Sequence, residues 1–420
     1  NGRGVPKDQA QAVKWFRRAA EQGFAQAQYN LARSYDLARI YAKGKGVPKD
    51  QALAVKWFRR AAEQGHAEAQ FLLGSIYDLG KGVPRDIAEA VKWYRRAAKQ
   101  EHAEAQKALK PAEQEHAKIQ KALKAKAEKF RKAAEKGDAK AQYDLASAYA
   151  NGKGVQKDYA QAVKWFRKAA EQGHAKAQCD LGIMYIRGAG VPRDYAQAAK
   201  WHRKAAEQGN AQAQYNLAYA YLQGQGVKKD SAEAQKWWRK AAEQKHARAL
   251  YMLGYMHLRG DGVPRDYAQA AKWFRKAAEQ GDARAQFILG GMYMNGDGLA
   301  KDATEAVKWF RKAAEQGFVV AQSRLGTMYA RGQGVPKDYS EGLKWFRKAA
   351  EQGDADAQLG LAAMYSQGKG VPEDDDEAIK WLRKAAAQGN AQAVRALQKH
   401  TAAQGRAAAK AVLKMLDLGQ

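Results

Sequence analysis

The residues able to do chemistry are eight His, one Cys and a single run of acids in a chain of 420 residues. His66, His102, His174 and His246 recur in one register of a repeated segment. On stacked helix pairs such positions lie on the order of 10 Å apart, too far to share a zinc ion whose Zn–N bonds are about 2.0–2.1 Å. His202 and His257 stand where other copies carry Phe and Tyr, which reads as substitution in the core or at its boundary. The lone Cys179 excludes an intramolecular disulfide framework and a cysteine metal cluster. It fills a slot held elsewhere by Tyr143, Tyr215 and Phe287, so a buried, inert thiol is expected. Asp374-Asp375-Asp376-Glu377 could suggest calcium but lacks the loop glycine and alternating ligands of such a site. No His-Glu-x-x-His run, phosphate-binding Gly-Lys-Ser loop or Gly-x-Ser-x-Gly elbow occurs. The sequence therefore implies no cofactor and no catalytic constellation.

The elements that would position any site are set by a repeat. Trp165, Trp201, Trp237, Trp273, Trp309, Trp345 and Trp381 fall 36 residues apart, and Trp57 and Trp93 keep the phase. Trp15 precedes Trp57 by 42 residues because six residues are inserted near position 37, as a second copy of Leu31-Ala-Arg-Ser-Tyr-Asp. In the unit 282–317 the first half has helix formers and apolar residues on a helical period up to about Asn295,. Gly296 and Gly298 break it. Asp302 begins a second helix, and Asp holds that slot in ten units, from Asp8 and Asp50 to Asp374. Glu or Gln follows three residues later in all but one, as in Glu305, which predicts a capping box with reciprocal hydrogen bonds,. Gly317 closes the helix. Ala306, Trp309, Phe310 and Ala313 share one face, and Lys308, Arg311, Lys312 and Glu315 the other,. The aromatic pair is read as inter-repeat core rather than a row of ligand-stacking indoles, and Trp273→Ala is expected to cost about 3–5 kcal/mol. Met184, Met256, Met292, Met328 and Met364 share one slot and read as packing.

The run A-x-A-Q-Y/F-x-L-G/A-x-x-Y-x-x-G-x-G-V-x-x-D-x-x-x-A-x-K-W-F-R-K-A-A-E-Q-G is carried by Leu289, Gly290, Tyr293, Gly296, Gly298, Asp302, Ala306, Trp309, Lys312 and Gly317. It resembles the Sel-one-like repeat (SLR), a relative of the tetratricopeptide repeats. The resemblance implies an all-α fold, an α/α solenoid of about eleven 36-residue helix-turn-helix repeats wound in a right-handed superhelix. It also implies an adaptor or scaffold role, frequently in bacterial envelope or secreted proteins. The Cys pairs that cross-link some relatives are absent, so the penicillin-binding or β-lactamase-like activity proposed for that branch does not carry over.

The repeat is irregular in places. Residues 1–101 read as N-terminal repeats with a truncated first unit and the six-residue insertion. Residues 102–137 keep the length but lose the Gly-x-Gly turn and the Trp, and hold Pro111, ten basic residues and five Glu. They are expected to form a short helix to about Lys110 and a longer one from Ala112, a kink in the array. Seven regular repeats follow at 138–389, and 390–420 read as capping helices.

Comparison of the units points to a binding face. In the first helix the slots of Arg284, Ile288, Gly291 and Asn295 vary at spacings of four, three and four, which aligns them on one stripe,. By resemblance that stripe faces the concave groove. It collects Asp180, Ile183, Arg187, Asn216, Tyr219, Gln223, Arg248, Met252, Tyr255, Arg259, Arg284, Ile288, Asn295, Arg324 and Arg331. Tyr and Arg beside aliphatic residues suit a protein or peptide partner, an acidic one included; a solvated face with drifting residues is the plain alternative. The net charge of +29 keeps open a second function, adhesion to polysaccharide, lipopolysaccharide or nucleic acid through a spine of Lys164, Arg167, Lys168 and their equivalents. Nucleic acid is disfavoured because the neighbouring aromatics face the core. No apolar run long enough to span a membrane occurs, and peripheral envelope association stays open. The family resemblance favours the periplasm or cell exterior over the cytoplasm.

Overall fold

A computed structural model describes residues 9–36 and 51–399. The described residues form helices and turns without a strand. They divide into two compact units, Asn1–Asp158 and Tyr159–Gln420. Within each unit, helices consecutive in the chain lie side by side, so each repeat is a helix pair that buries its apolar stripe against its neighbours. We call the helix before the Gly-x-Gly turn A and the helix after it B. The pair Ala283–Asn295 and Ala303–Glu315 is representative.

Helix A ends at Gly296, in the left-handed region at φ 84°, with its N–H bonded to the Met292 carbonyl. Asp302 then starts helix B, its carboxylate accepting from the N–H groups of Thr304 and Glu305 at 2.9 and 3.0 Å. The reciprocal half of the expected capping box is not formed. The Asp302 N–H instead donates to the Tyr293 carbonyl of helix A at 2.9 Å, and the same bond recurs from Asp86 to Tyr77 and from Asp338 to Tyr329. Released from capping, the Glu three residues on pairs with the Lys beyond it, as Glu341 with Lys344 at 2.9 Å. The Asp8 and Asp50 caps and the duplicated insert lie outside the described residues.

The core is built as the spacing predicts. Ala306, Trp309, Phe310 and Ala313 are buried, as are the five methionines of the shared slot. The Phe310 ring lies so close to Gly290 that a Cβ there would sit 2.9 Å from it. Two amides that recur from unit to unit tie successive units together. Buried Gln286 donates to the Ala278 carbonyl at the end of the preceding helix B, 3.0 Å away, and accepts from Gln316 at 2.7 Å. Equivalent pairs join Gln214 to Ala206 and Gln244, and Gln322 to Ala314 and Gln352. Each buried amide is thereby satisfied.

Two expectations change. Residues 102–137 contain one helix, Ala103–Glu135, which runs through Pro111 instead of stopping at Lys110. Pro111 is exposed, so the carbonyl that loses its intrahelical donor faces solvent. Two glutamates of this stretch pair with the preceding repeat: Glu113 with Arg95 of its helix B and Glu115 with Arg85 of the turn before it. Trp273 is also less buried than its equivalents Trp309, Trp345 and Trp381, and it borders an open cleft of about 490 Å³ with Lys276 and Leu299. A similar cleft of about 350 Å³ adjoins Val227. Both border a turn that has lost its proline, since Lys228 and Ala300 stand where Pro192 and Pro264 stand in neighbouring repeats. At the far end residues 391–399 are helical, while 400–420 of the expected cap lie outside the described residues.

Candidate functional site

The cations of helix B are largely used within the fold. Arg203 donates to the Tyr221 hydroxyl at 2.6 Å, Arg347 to Tyr365 at 2.8 Å, and Arg311 to Tyr329. The next Lys lies over the Trp one turn back, as Lys312 over Trp309 at 4.2 Å and Lys384 over Trp381 at 4.1 Å. Such contacts contribute roughly 0.5–1 kcal/mol at exposed sites and account for the W-F-R-K spacing without any external anion.

The histidines of the inter-repeat slot cap helix A. Nδ1 of His246 accepts the Ala249 N–H at 3.3 Å, so its Nε2 carries the proton toward Gln212, 3.3 Å away. The ring stacks on Tyr215 with centroids 5.1 Å apart, and burial holds its pKa below the ordinary value. His66 repeats the cap and stacks on Tyr29. Among the described residues no group of His, Cys, Asp and Glu is arranged to hold a metal. Asp374 caps its helix by accepting the Glu377 N–H at 3.0 Å.

One cluster escaped sequence reading. Cys179, His202 and Asn216 meet in the core, with Asn216 Nδ2 3.2 Å from His202 Nε2 and 4.0 Å from Cys179 Sγ. A Cys–His–Asn set invites comparison with nucleophilic catalysis, but the protonation states are reversed. Burial pushes the Cys179 thiol up to about 12 and the His202 imidazole down to about 4, so no thiolate–imidazolium pair forms. Gly182 makes room for the His202 ring, which a Cβ would meet at 2.5 Å. The unfolded chain accepts a proton near pH 6.5 that folded His202 refuses until about pH 4. Stability due to this group is thus complete above that window and falls as pH drops through it, by about 1.4 kcal/mol per pH unit. His202→Phe, which installs the residue of most repeats, should flatten this acid limb in melts across pH; an unchanged slope would show that His202 does not set it.

The variable stripe lies where helices A present their exposed side. Arg187, Tyr219, Gln223, Arg248, Arg259, Arg284, Asn295, Arg324 and Arg331 are exposed, while Ile183, Met252, Tyr255 and Ile288 are partly buried. Asp180 and Asn216 are also only partly exposed, Asn216 being engaged with His202. On this face a run of side-chain contacts starts on helix Ala283–Asn295 and continues along helix Ala247–Arg259. Arg284 lies 4.5 Å over the Tyr251 ring, Tyr251 stacks on Tyr255 at 6.4 Å, and the Tyr255 hydroxyl accepts from Arg259 Nε at 3.2 Å. Arg284 is also ion-paired with Asp282 at 3.1 Å. Tyr251 and Tyr215 share the slot of Cys179 and are partly buried. Arg284 of the next helix A folds back over the Tyr251 ring, a contact between repeats that no single unit displays.

Comparison with known proteins adds the following. The family model described as Sel1 repeat matches residues 1–24, 25–66, 67–102, 139–174, 175–210, 211–246, 247–282, 283–318, 319–354 and 355–390, passing over the long helix Ala103–Glu135. A crystal structure of a protective antigen of uropathogenic Escherichia coli with an SLR fold is 38% identical. The match covers 91% of this chain and 80% of that one, with TM-score 0.58. A Sel1 repeat protein from Oxalobacter formigenes is 33% identical over 86% of this chain and 92% of that one, with TM-score 0.54. No curated relative matches the chain.

Proposed function

The chain belongs to the Sel1 repeat family, and on that basis we propose that it is a non-enzymatic scaffold that binds a protein partner on the variable face of its A helices, the concave side by family resemblance. The observation that carries this reading is the split between the two helices of each repeat. Helix B repeats its charges and uses its Arg and second Lys internally, whereas helix A varies outward in Tyr, Arg, Met and Ile, the residues that concentrate binding energy at interfaces. Among the described residues no helix is long and apolar enough to cross a membrane. Periplasmic or secreted placement is proposed by analogy with the bacterial relatives, and fractionation of the native cell tests it: recovery in the cytosol alone would refute it.

The test of the binding face is a pull-down with the intact chain. Tyr255→Ala or Arg259→Ala is expected to weaken capture about tenfold or more, while Lys200→Glu and Lys272→Glu on helix B leave it intact. Loss in the helix-B variants alone would reject the A-helix face in favour of plain polyanion adhesion.

A further inference from the structure

We propose that helices Ala247–Arg259 and Ala283–Asn295 hold an acidic amphipathic segment of a partner protein, carboxylates at its edges and an apolar side chain at its centre; this rests on the scaffold reading above.

The first observation is charge. Across 175–331 the four variable slots hold seven cations and one carboxylate, Asp180. Arg248, Arg324 and Arg331 are exposed and form no ion pair among the described residues. Unlike the Arg and second Lys of helix B, these have no tyrosine hydroxyl or indole face of their own to satisfy them. A surface with this imbalance selects a partner of opposite sign and repels basic ones.

The second observation is order. Arg248, Met252, Tyr255 and Arg259 follow one another along helix Ala247–Arg259, with cations at the ends and apolar groups between. The neighbouring helix A repeats the start of that order with Arg284 and Ile288. Where Tyr255 would have its counterpart stands Gly291, and a Cβ built there meets nothing within 4 Å. That glycine leaves a gap in the row of exposed side chains, a notch open to solvent in register with Tyr255, and it is here that we place the segment's apolar side chain. Gly291 is inside a helix, where glycine costs roughly 0.5–1 kcal/mol relative to Ala, so its presence is not explained by the local fold. A plain polyanion would use the arginines and leave the notch empty. Base stacking is disfavoured because Tyr251 is already covered by Arg284.

The experiment uses the full chain and a fluorescein-labelled peptide with a central Leu-Phe flanked on both sides by Glu. Anisotropy should show saturable binding, absent for the same peptide with Lys in place of Glu and for one with Gly in place of Leu-Phe. Gly291→Phe fills the notch, and Arg284→Glu reverses the edge; each should weaken binding about tenfold or more. The Gly291→Phe chain should melt no lower than the parent, which separates blockage from unfolding. Binding that ignores Gly291→Phe, or that an all-Glu peptide, heparin or an oligonucleotide displaces equally well, overturns the proposal. Failure of the probe while partner capture still depends on Tyr255 rejects the acidic amphipathic ligand and leaves the scaffold reading standing. Failure of both rejects both.

Discussion

Phe274→Ala lowers the stability of the Tyr159–Gln420 unit by about 3–5 kcal/mol,, more than Trp273→Ala beside it. Phe274 is fully buried. Its ring sits against Gly254, where a Cβ would come within 2.9 Å, and meets Tyr251 edge-on at 5.6 Å. Glycine has no side chain to move into the space, so the cavity stays open and the loss falls at the upper end of large-to-small substitutions. Trp273 is the larger residue but is partly exposed and borders the cleft beside Leu299. Its truncation removes less surface from water and should cost about 1–3 kcal/mol. Urea denaturation of the two variants reads the order directly. Equal losses, or a larger loss at Trp273, would contradict the burial assigned to the pair.

Gly298→Ala is expected to cost about 3 kcal/mol or more, against about 1 kcal/mol for Gly317→Ala. Both glycines adopt positive φ, 68° and 85°, so conformational preference does not separate them. Surroundings do. A Cβ on Gly298 would lie 2.2 Å from the Tyr267 carbonyl carbon in the preceding repeat, and backbone has no rotamer with which to yield; a Cβ on Gly317 meets nothing within 4 Å. The chain has already run the second experiment. Lys245 and Glu101 occupy the slot of Gly317 with φ of 60° and 62°. Thermal melts of Gly298→Ala and Gly317→Ala test the contrast, and similar melting temperatures would mean that neighbouring repeats can part at the turn without loss.

Features set within one unit were legible in the sequence. Helix limits, the Asp302 cap, the glycine stop and the buried Trp309–Phe310 face each follow from a spacing of a few residues. Contacts between helices were not. The role of Glu305 depends on where the Asp302 N–H goes, and that is a carbonyl on the other helix. Trp273 borders a cleft with Leu299 of the next repeat, a neighbour its own unit does not show. Cys179, His202 and Asn216 come from three different helices. The stripe was legible as a face, since variation at helical spacing marks it. Its Arg284–Tyr251–Tyr255–Arg259 run was not, because the contact of Arg284 with Tyr251 joins two repeats. Pro111 misled because proline usually stops a helix; here its ring is exposed and the helix continues past it.

The glutamine ladder has a mechanical side. Each buried glutamine crosslinks three consecutive helices, so a load along the array passes from joint to joint through amides. At position 250 the glutamine is replaced by Leu250, which packs in the core but cannot reach the Ala242 carbonyl or the Gln280 amide. Two crosslinks are missing around this helix, so under a load that every joint shares it has fewer hydrogen bonds to resist opening. That helix carries Arg248, Met252, Tyr255 and Arg259. A partner lying across it and the next helix A would splice a joint with fewer crosslinks, so tension on the repeats and occupancy of the face become coupled quantities.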